Sequence, residues 1–365
     1  MKIAEIITVF EELAPISLQE HYDNAGLITG NDGWECTGVL CTLDAIEAVV
    51  NEAKALNCNL IVAHHPIIFK GLKKINGKNY VERTIINAIK SDIAIYAIHT
   101  NLDNVIGGVN NKIADQLNLQ NRRVLLPKES MLMKLYTFIP GDHAEKVRNA
   151  IFNAGAGNIG NYSECSFNAE GKGTFKAGEN TTPFVGEKNI RHEENEVKTE
   201  VIFPSYLKER ILNALFAAHP YEEVAYDIVA LSNSHNNIGS GLIGELSQPV
   251  LEIKFLTLLK QAFNLRVIRH TELLQKPVKK IAVCGGTGSF LIGSALAEKA
   301  DIYVTADIKY HEFFDADKKM VIVDIGHWES EQFTIDLLHS VLQAKFPNFA
   351  VLKTKTGTNP VQYFL

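Results

Sequence analysis

The chain has 365 residues, 46% hydrophobic and 21% charged, a globular composition with length for two or three domains whose cores need no covalent staples. A formal net charge of −6 supplies no global basic field for nucleic acid. Five scattered cysteines (Cys36, Cys41, Cys58, Cys165 and Cys284) without C-x-x-C spacing argue against a disulfide framework or a thiolate zinc site.

Along the chain, Ile3, Ile6, Ile7, Phe10 and Leu13 recur at helical spacing and predict an opening amphipathic helix. Glu5, Glu11 and Glu12 interrupt that segment as a secretory leader would not, and no apolar stretch reaches bilayer length. The expectation is a cytoplasmic protein with no membrane partner. Short β-branched runs follow at 38–43, 60–63 and 93–98, separated by predicted helices at 45–56 and 81–90. Continuous apolar strands alternating with helices indicate an α/β sheet buried on both faces. The rhythm returns after residue 240, with strands at 281–284, 302–305 and 321–323 and helices at 290–300 and 331–344.

The middle reads differently. A strand at 134–139, a helix near 144–154, polar Gly- and Asn-rich hairpin material over 155–194, a strand at 197–203, a helix at 206–218 and a strand at 224–231 follow in turn. That β-α-β-β-α-β order is ferredoxin-like. The economical reading is one discontinuous α/β domain, residues 1–128 and 237–365, interrupted by an α+β insertion at 129–236; three consecutive domains are the alternative.

Ligands of α/β sheets gather at the carboxyl ends of strands, and there the chain places its imidazoles and carboxylates. The run 60–63 leads into His64-His65-Pro66, the run 93–98 into His99-Thr100-Asn101-Leu102-Asp103, and the run 321–323 into Asp324, His327 and Glu331. Gly326 permits a sharp turn into a helix, on which His327 and Glu331 share a face. A helix-starting histidine with an ordinary first-turn glutamate would look the same. Adjacent histidines point to opposite faces of a strand, so both rings converge only if the strand ends at His64, and Pro66 helps to stop it. Otherwise one is a core and one a surface histidine. Imidazoles suit zinc, iron or manganese better than magnesium or calcium. Asp103 ranks above His99 as a ligand because clustered imidazoles need negative charge to hold divalent ions; His99 can ligate, move protons or orient a ligand.

Weaker features remain. The turn Cys284-Gly285-Gly286-Thr287-Gly288-Ser289 can cradle an anion through its N–H groups, although it matches no nucleotide-binding fingerprint. Asp307 and His311 follow a strand and can line a pocket. The segment His219-Pro220-Tyr221-Glu222-Glu223 can reach over a site or simply precede a strand.

Taken together, Tyr22-Asp23-Asn24-Ala25-Gly26-Leu27, His64-His65-Pro66, His99 through Asp103, Gly285 through Gly288, Thr305-Ala306-Asp307 and Gly326-His327 with Glu331 occur in one family's order. The chain resembles the GTP cyclohydrolase 1 type 2 homologues, the NIF-three-like family of dinuclear-metal-centre hexameric proteins. The match covers essentially the whole chain outside the insertion; the family often has Trp where Tyr22 stands. The resemblance implies a toroidal homohexamer with metal pairs facing an internal cavity, and metal ligands at His64, His65, Asp103, His327 and Glu331. It also implies an insertion like the PII or CutA domains of longer bacterial members.

Two divalent ions, with zinc, iron and manganese as the expected metals, polarise a substrate oxygen and acidify water at neutral pH. His99 and Glu331 are the candidate proton-moving residues, with Asp103 beside them. The expected activity is metal-dependent hydrolysis of a small polar or nucleotide substrate, with GTP ring opening and phosphoester cleavage as two versions. A non-catalytic, metal-dependent regulator with a ligand-sensing insertion is the alternative, and nucleic acid is disfavoured by the charge.

Overall fold

The structure, a computed structural model, describes residues 1–364. The strands in chain order are β1 (Gly26–Thr29), β2 (Val39–Asp44), β3 (Leu60–His65), β4 (Ala94–Ala97), β5 (Gln120–Lys128), β6 (Leu132–Pro140), β7 (Phe167–Lys176) and β8 (Arg191–Pro204). They continue with β9 (Tyr226–Leu231), β10 (His235–Leu251), β11 (Arg269–His270), β12 (Pro277–Thr287), β13 (Ile302–Ala306), β14 (Val321–Asp324) and β15 (Val351–Lys353). The architecture is mixed α/β with three sheets, in two compact units: Met1–Pro127 with Asn236–Leu365, and Lys128–His235.

The larger unit holds two sheets where sequence reasoning drew one rim. The first has the order β1-β4-β3-β2-β15 and the second β11-β14-β13-β12-β10-β5. In each, three consecutive central strands run parallel: β2, β3 and β4 in the first, β12, β13 and β14 in the second. Alternation along these strands partitions the core. Val39, Cys41, Leu60, Val62, Ala94 and Tyr96 from one sheet join Ile281, Val283, Ile302, Val304, Val321 and Val323 from the other in a single cluster. The helices Ile3–Leu13, Val109–Gln116, Glu252–Ala262 and Thr334–Lys345 contribute Ile6, Phe10, Ile113, Phe255, Leu259 and Leu338 to it. The intervening residues pack the other way. Leu40, Ile61 and Ile95 meet the helices Glu47–Ala55 and Tyr80–Lys90, whereas Ala282, Tyr303 and Ile322 meet the short helix Ile292–Ala297. Burial on both faces explains why these strands read as unbroken apolar runs.

Two boundaries differ from the sequence reading. β3 includes both histidines, with Asp44 paired to His65 in the parallel ladder. The predicted helix at 331–344 is two, His327–Glu331 and Thr334–Lys345. The smaller unit carries one four-stranded antiparallel sheet, β7-β8-β6-β9, with the helices Ala144–Asn153 and Lys208–Ala218 packed on one face through Leu135, Val147, Val201 and Leu215. All five cysteines are free. No helix among the described residues is long and apolar enough to cross a membrane.

Gly108 caps the helix Val109–Gln116, which carries Asn110 into the site described below. A Cβ at this position would stand 1.8 Å from the Leu102 carbonyl oxygen, a backbone atom that cannot rotate away. Gly108→Ala is therefore expected to destabilise the protein by about 1–3 kcal/mol, read as a lower urea midpoint; an unchanged midpoint would show that the turn re-forms freely.

Candidate metal centre

The carboxyl ends of the parallel strands from both sheets supply one cluster. β2 ends in Asp44, β3 in His64 and His65, and β4 leads to His99 and the short helix Thr100–Asp103. From the second sheet, β12 runs on through Gly285, Gly286 and Thr287, where sequence reasoning expected a turn, β13 leads to Asp307, and β14 leads through Gly326 to His327 and Glu331. Gly326 makes that last turn with φ +92°, and a side chain there would collide with the Glu329 carboxylate.

His64 and His65 converge although both lie in the ladder, with ring centroids 4.8 Å apart. They turn toward opposite neighbouring strand ends, His64 Nδ1 meeting the Ile98 carbonyl at 2.8 Å and His65 Nδ1 meeting Asp44 Oδ1 at 2.8 Å. His99 and His327 repeat the device, with Nδ1 held by Asp23 Oδ1 at 2.7 Å and by Asp307 Oδ2 at 2.6 Å. Each acceptor fixes the proton on Nδ1 and leaves Nε2 to act as a donor atom toward an ion, the arrangement typical of metal-binding imidazoles. The orienting carboxylates are themselves fixed. Asp23 accepts from the Thr100 backbone and hydroxyl, Asp307 from Thr287 Oγ1, and Asp44 from Thr358 Oγ1, which in turn accepts from the Trp328 indole.

The free ends of these side chains face each other. His65 Nε2 stands 3.0 Å from Glu331 Oε2 and 3.4 Å from His327 Nε2, and His327 Nε2 stands 3.2 Å from Glu331 Oε2. His64 Nε2 lies 3.6 Å from Asp103 Oδ1 and 3.9 Å from Glu331 Oε1. Both His64 Nε2 and Asp103 Oδ1 are enclosed without any hydrogen-bond partner. Two buried acceptors facing one another unsatisfied is an unfavourable arrangement that a cation between them relieves. Among the described residues, three groups can hold an ion: His65, His327 and Glu331; His64, Asp103 and Glu331; His64, His65 and His99. Glu331, only 3% exposed, is shared by the first two.

Protonation follows the same logic. Burial works against charge on His65 and His327, but the Asp44, Asp307 and Glu331 carboxylates outweigh it, raising His65 to about 9 and His327 to about 11. Burial pushes Asp23 up, yet the bonds from His99 and Thr100 hold it at about 2. Burial and the neighbouring Glu331 charge push Asp103 up, whereas His327, His64 and His65 overcome burial to hold Glu331 well below the carboxylate range.

The structure thus brings together His64, His65, His99, Asp103, His327 and Glu331. It does not leave Gly285 and Gly286 free for an anion: their N–H groups donate to Asn110 Oδ1 and Ser330 Oγ, both at 3.0 Å. Gly286 serves space instead. With φ +60°, its missing Cβ would sit 2.5 Å from Glu331 Oε1 and 3.2 Å from His327 Nε2, inside the cradle. His311 has ring contacts with Tyr310 and Phe314 and belongs to none of the ion-holding groups among the described residues. Sequence reasoning missed Asp44 and Thr358. The strand-end rule would have found Asp44, at the end of β2; nothing local marks Thr358, which lies 314 residues away from it. A cavity of about 700 Å³ opens over the cluster, with Tyr22, Phe69, Phe290 and Arg269 among its walls.

Known proteins share the sequence and the fold of this chain. The chain matches the Duf34/NIF3 (NGG1p interacting factor 3) family over residues 1–360. Proteins of Halalkalibacterium halodurans and Bacillus subtilis, each named GTP cyclohydrolase 1 type 2 homolog, are 39% and 37% identical to it, covering 100% and 98% of this chain and equal shares of their own. The crystal structure of a Bacillus cereus protein related to NIF3 has a TM-score of 0.87 and 38% identity, covering 100% of this chain and 99% of that one.

Two outcomes are expected. Gly286→Ala should weaken uptake of zinc or manganese about 10–100-fold in a chelator competition while circular dichroism stays unchanged; undiminished uptake would remove the cradle argument. Because His65 and His327 hold protons at neutral pH without metal, an ion must displace them. Metal titration in weak buffer should therefore release protons, and affinity should rise with pH through neutrality and on past about pH 9; a flat profile would contradict the assigned protonation.

Proposed function

Since the chain belongs to the Duf34/NIF3 family, we propose that its histidine–carboxylate cluster is a two-metal centre and that the protein is a metal-dependent hydrolase of a small polar or nucleotide substrate. The observation that carries this reading is the set of four imidazoles, each fixed at Nδ1, three of them approaching Asp103 or Glu331 at Nε2, with two enclosed atoms left unpartnered.

His65 and His327 would hold one ion and His64 and Asp103 the other, with Glu331 common to both groups. Zinc, iron and manganese fit these nitrogen and oxygen donors. When bound, such a pair supplies Lewis acidity toward a substrate oxygen and acidifies water at neutral pH. The chain's own residues do the rest. Glu331 is enclosed and both its oxygens face imidazoles, so it suits ligation better than proton transfer. His99, anchored by Asp23, lies 5.3 Å from the His64 ring and 5.4 Å from that of His65. It can accept or deliver a proton at Nε2, and Asp23 stabilises the imidazolium that results. The aromatic walls offer flat surfaces to a heterocycle, which keeps GTP ring opening beside phosphoester hydrolysis as the reactions to test.

The same proposal includes a homohexamer, measurable by light scattering, and a cytoplasmic location. It also makes residues 129–236 a ferredoxin-like insertion of the PII or CutA kind, supported by the β-α-β-β-α-β order and the strand order β7-β8-β6-β9. One observation favours the second reading, a metal-dependent regulator: the smaller unit has a cavity of its own.

Protein purified without added metal should carry at least about one divalent ion per chain by elemental analysis. It should also turn over a substrate in a hydrolase screen containing GTP and phosphoesters. His65→Ala should abolish turnover while leaving the fold intact, and His99→Gln should lower turnover about 10²–10⁴-fold while retaining metal. A metal-loaded protein inert toward every substrate would leave the regulatory reading; absence of metal with no uptake would end both.

A further inference from the structure

The segment His219-Pro220-Tyr221-Glu222-Glu223 has no part in the histidine–carboxylate cluster. It forms one wall of a cavity of about 570 Å³ lined entirely by residues of Lys128–His235. The four-stranded sheet explains that cavity. Its helices cover the face bearing Leu135, Ile139, Val201 and Phe203, so alternation turns Phe138 of β6, Glu196 and Lys198 of β8 and Phe175 of β7 to the opposite face. On β7 that face reads Ala169, Gly171, Gly173, giving the cavity a floor almost without side chains. The Glu196 carboxylate lies over Gly173, where a Cβ would stand 2.1 Å from its Oε2.

Tyr221 is held in place over this floor. Its N–H donates to His219 Nδ1 at 3.1 Å, which makes Nε2 the donor to the Phe138 carbonyl at 3.0 Å and the ring neutral. The Tyr221 hydroxyl donates to Glu196 Oε1 at 2.9 Å. Phe175 and Phe184 flank the tyrosine, each with its ring centroid 6.2 Å away. Three aromatic rings and one carboxylate therefore converge.

Charge decides what such a pocket holds. The two lysines in its lining are each matched by a glutamate, Lys172 by Glu193 and Lys198 by Glu200. Glu196 has no ammonium or guanidinium partner among the described residues. An anion would meet the Glu196 carboxylate and the negative faces of the rings; a neutral apolar ligand would strip water from Glu196 and return nothing. A cation with an apolar body satisfies both.

We propose that the inserted unit binds an organic cation, an alkyl- or quaternary ammonium, between Phe175, Phe184 and Tyr221 with Glu196 as its counter-ion. This gives the regulatory reading a ligand class and does not depend on the metal centre. The probes are choline and its neutral isostere 3,3-dimethylbutan-1-ol, titrated into the full-length protein by calorimetry. Choline should bind about tenfold more tightly than the isostere. Glu196→Gln should bring the two near parity, and Phe184→Leu, at a ring half exposed on the surface, should weaken choline binding. Both variants should keep the parent's metal content, which separates failure here from failure of the metal site. Equal binding of the two probes, binding of neither at millimolar concentration, or a preference that survives Glu196→Gln would overturn the proposal.

Discussion

Burying Glu331 among imidazoles is the constraint around which the larger unit is organised. An ionised carboxylate so enclosed needs compensating positive charge, because desolvation would otherwise neutralise it or expel it. Protonated histidines supply that charge in the metal-free protein, and bound ions would supply it otherwise. Either way His64, His65 and His327 must arrive with their Nε2 atoms turned inward, so their Nδ1 atoms must be occupied. The Ile98 carbonyl, Asp44 and Asp307 meet that need. Each comes from a strand end, so the sheets are the frame of the site as well as its support.

Two sheets serve this purpose better than one. A single edge offers carboxyl ends side by side, whereas the shared core of Tyr96, Phe10, Phe255 and the inner valines and isoleucines ties two such edges into one unit. β2, β3 and β4 deliver Asp44, His64, His65 and His99; β12, β13 and β14 deliver Gly286, Asp307, His327 and Glu331. Packing at the density of a protein interior leaves the rims little freedom to drift. That rigidity is the condition for preorganised donor atoms.

Much of this was legible in residue order. The central strands announced themselves as apolar runs because both faces are buried, and the histidines stood out because each followed such a run. What stayed hidden was relational. The division into two sheets depends on which strands pair, and local pattern carries no signal for that. Continuation of β3 through His65 contradicts the simplest alternation argument; the rings converge because they bend toward different neighbours, Ile98 and Asp44. The Cys284–Ser289 segment looked like an anion-cradling turn because glycines free the backbone, yet its residues through Thr287 belong to β12. Its amides at 285 and 286 are spent on Asn110 and Ser330, and Gly286 is small so that Glu331 and His327 can approach.

The span between partners has a bearing on how the protein matures. His65 and Glu331 are 266 residues apart, with the whole smaller unit encoded between them. Synthesis runs from the amino end, so a nascent chain displays His64, His65, His99 and Asp103 long before their shared carboxylate exists. During that interval the ribosome-bound chain has half of the cluster, which on the two-metal reading would capture an ion only loosely and exchange it freely. On the two-metal reading, selection of the metal would fall to the completed protein, after β14 has docked, when its identity would be set by the pool surrounding a folded molecule.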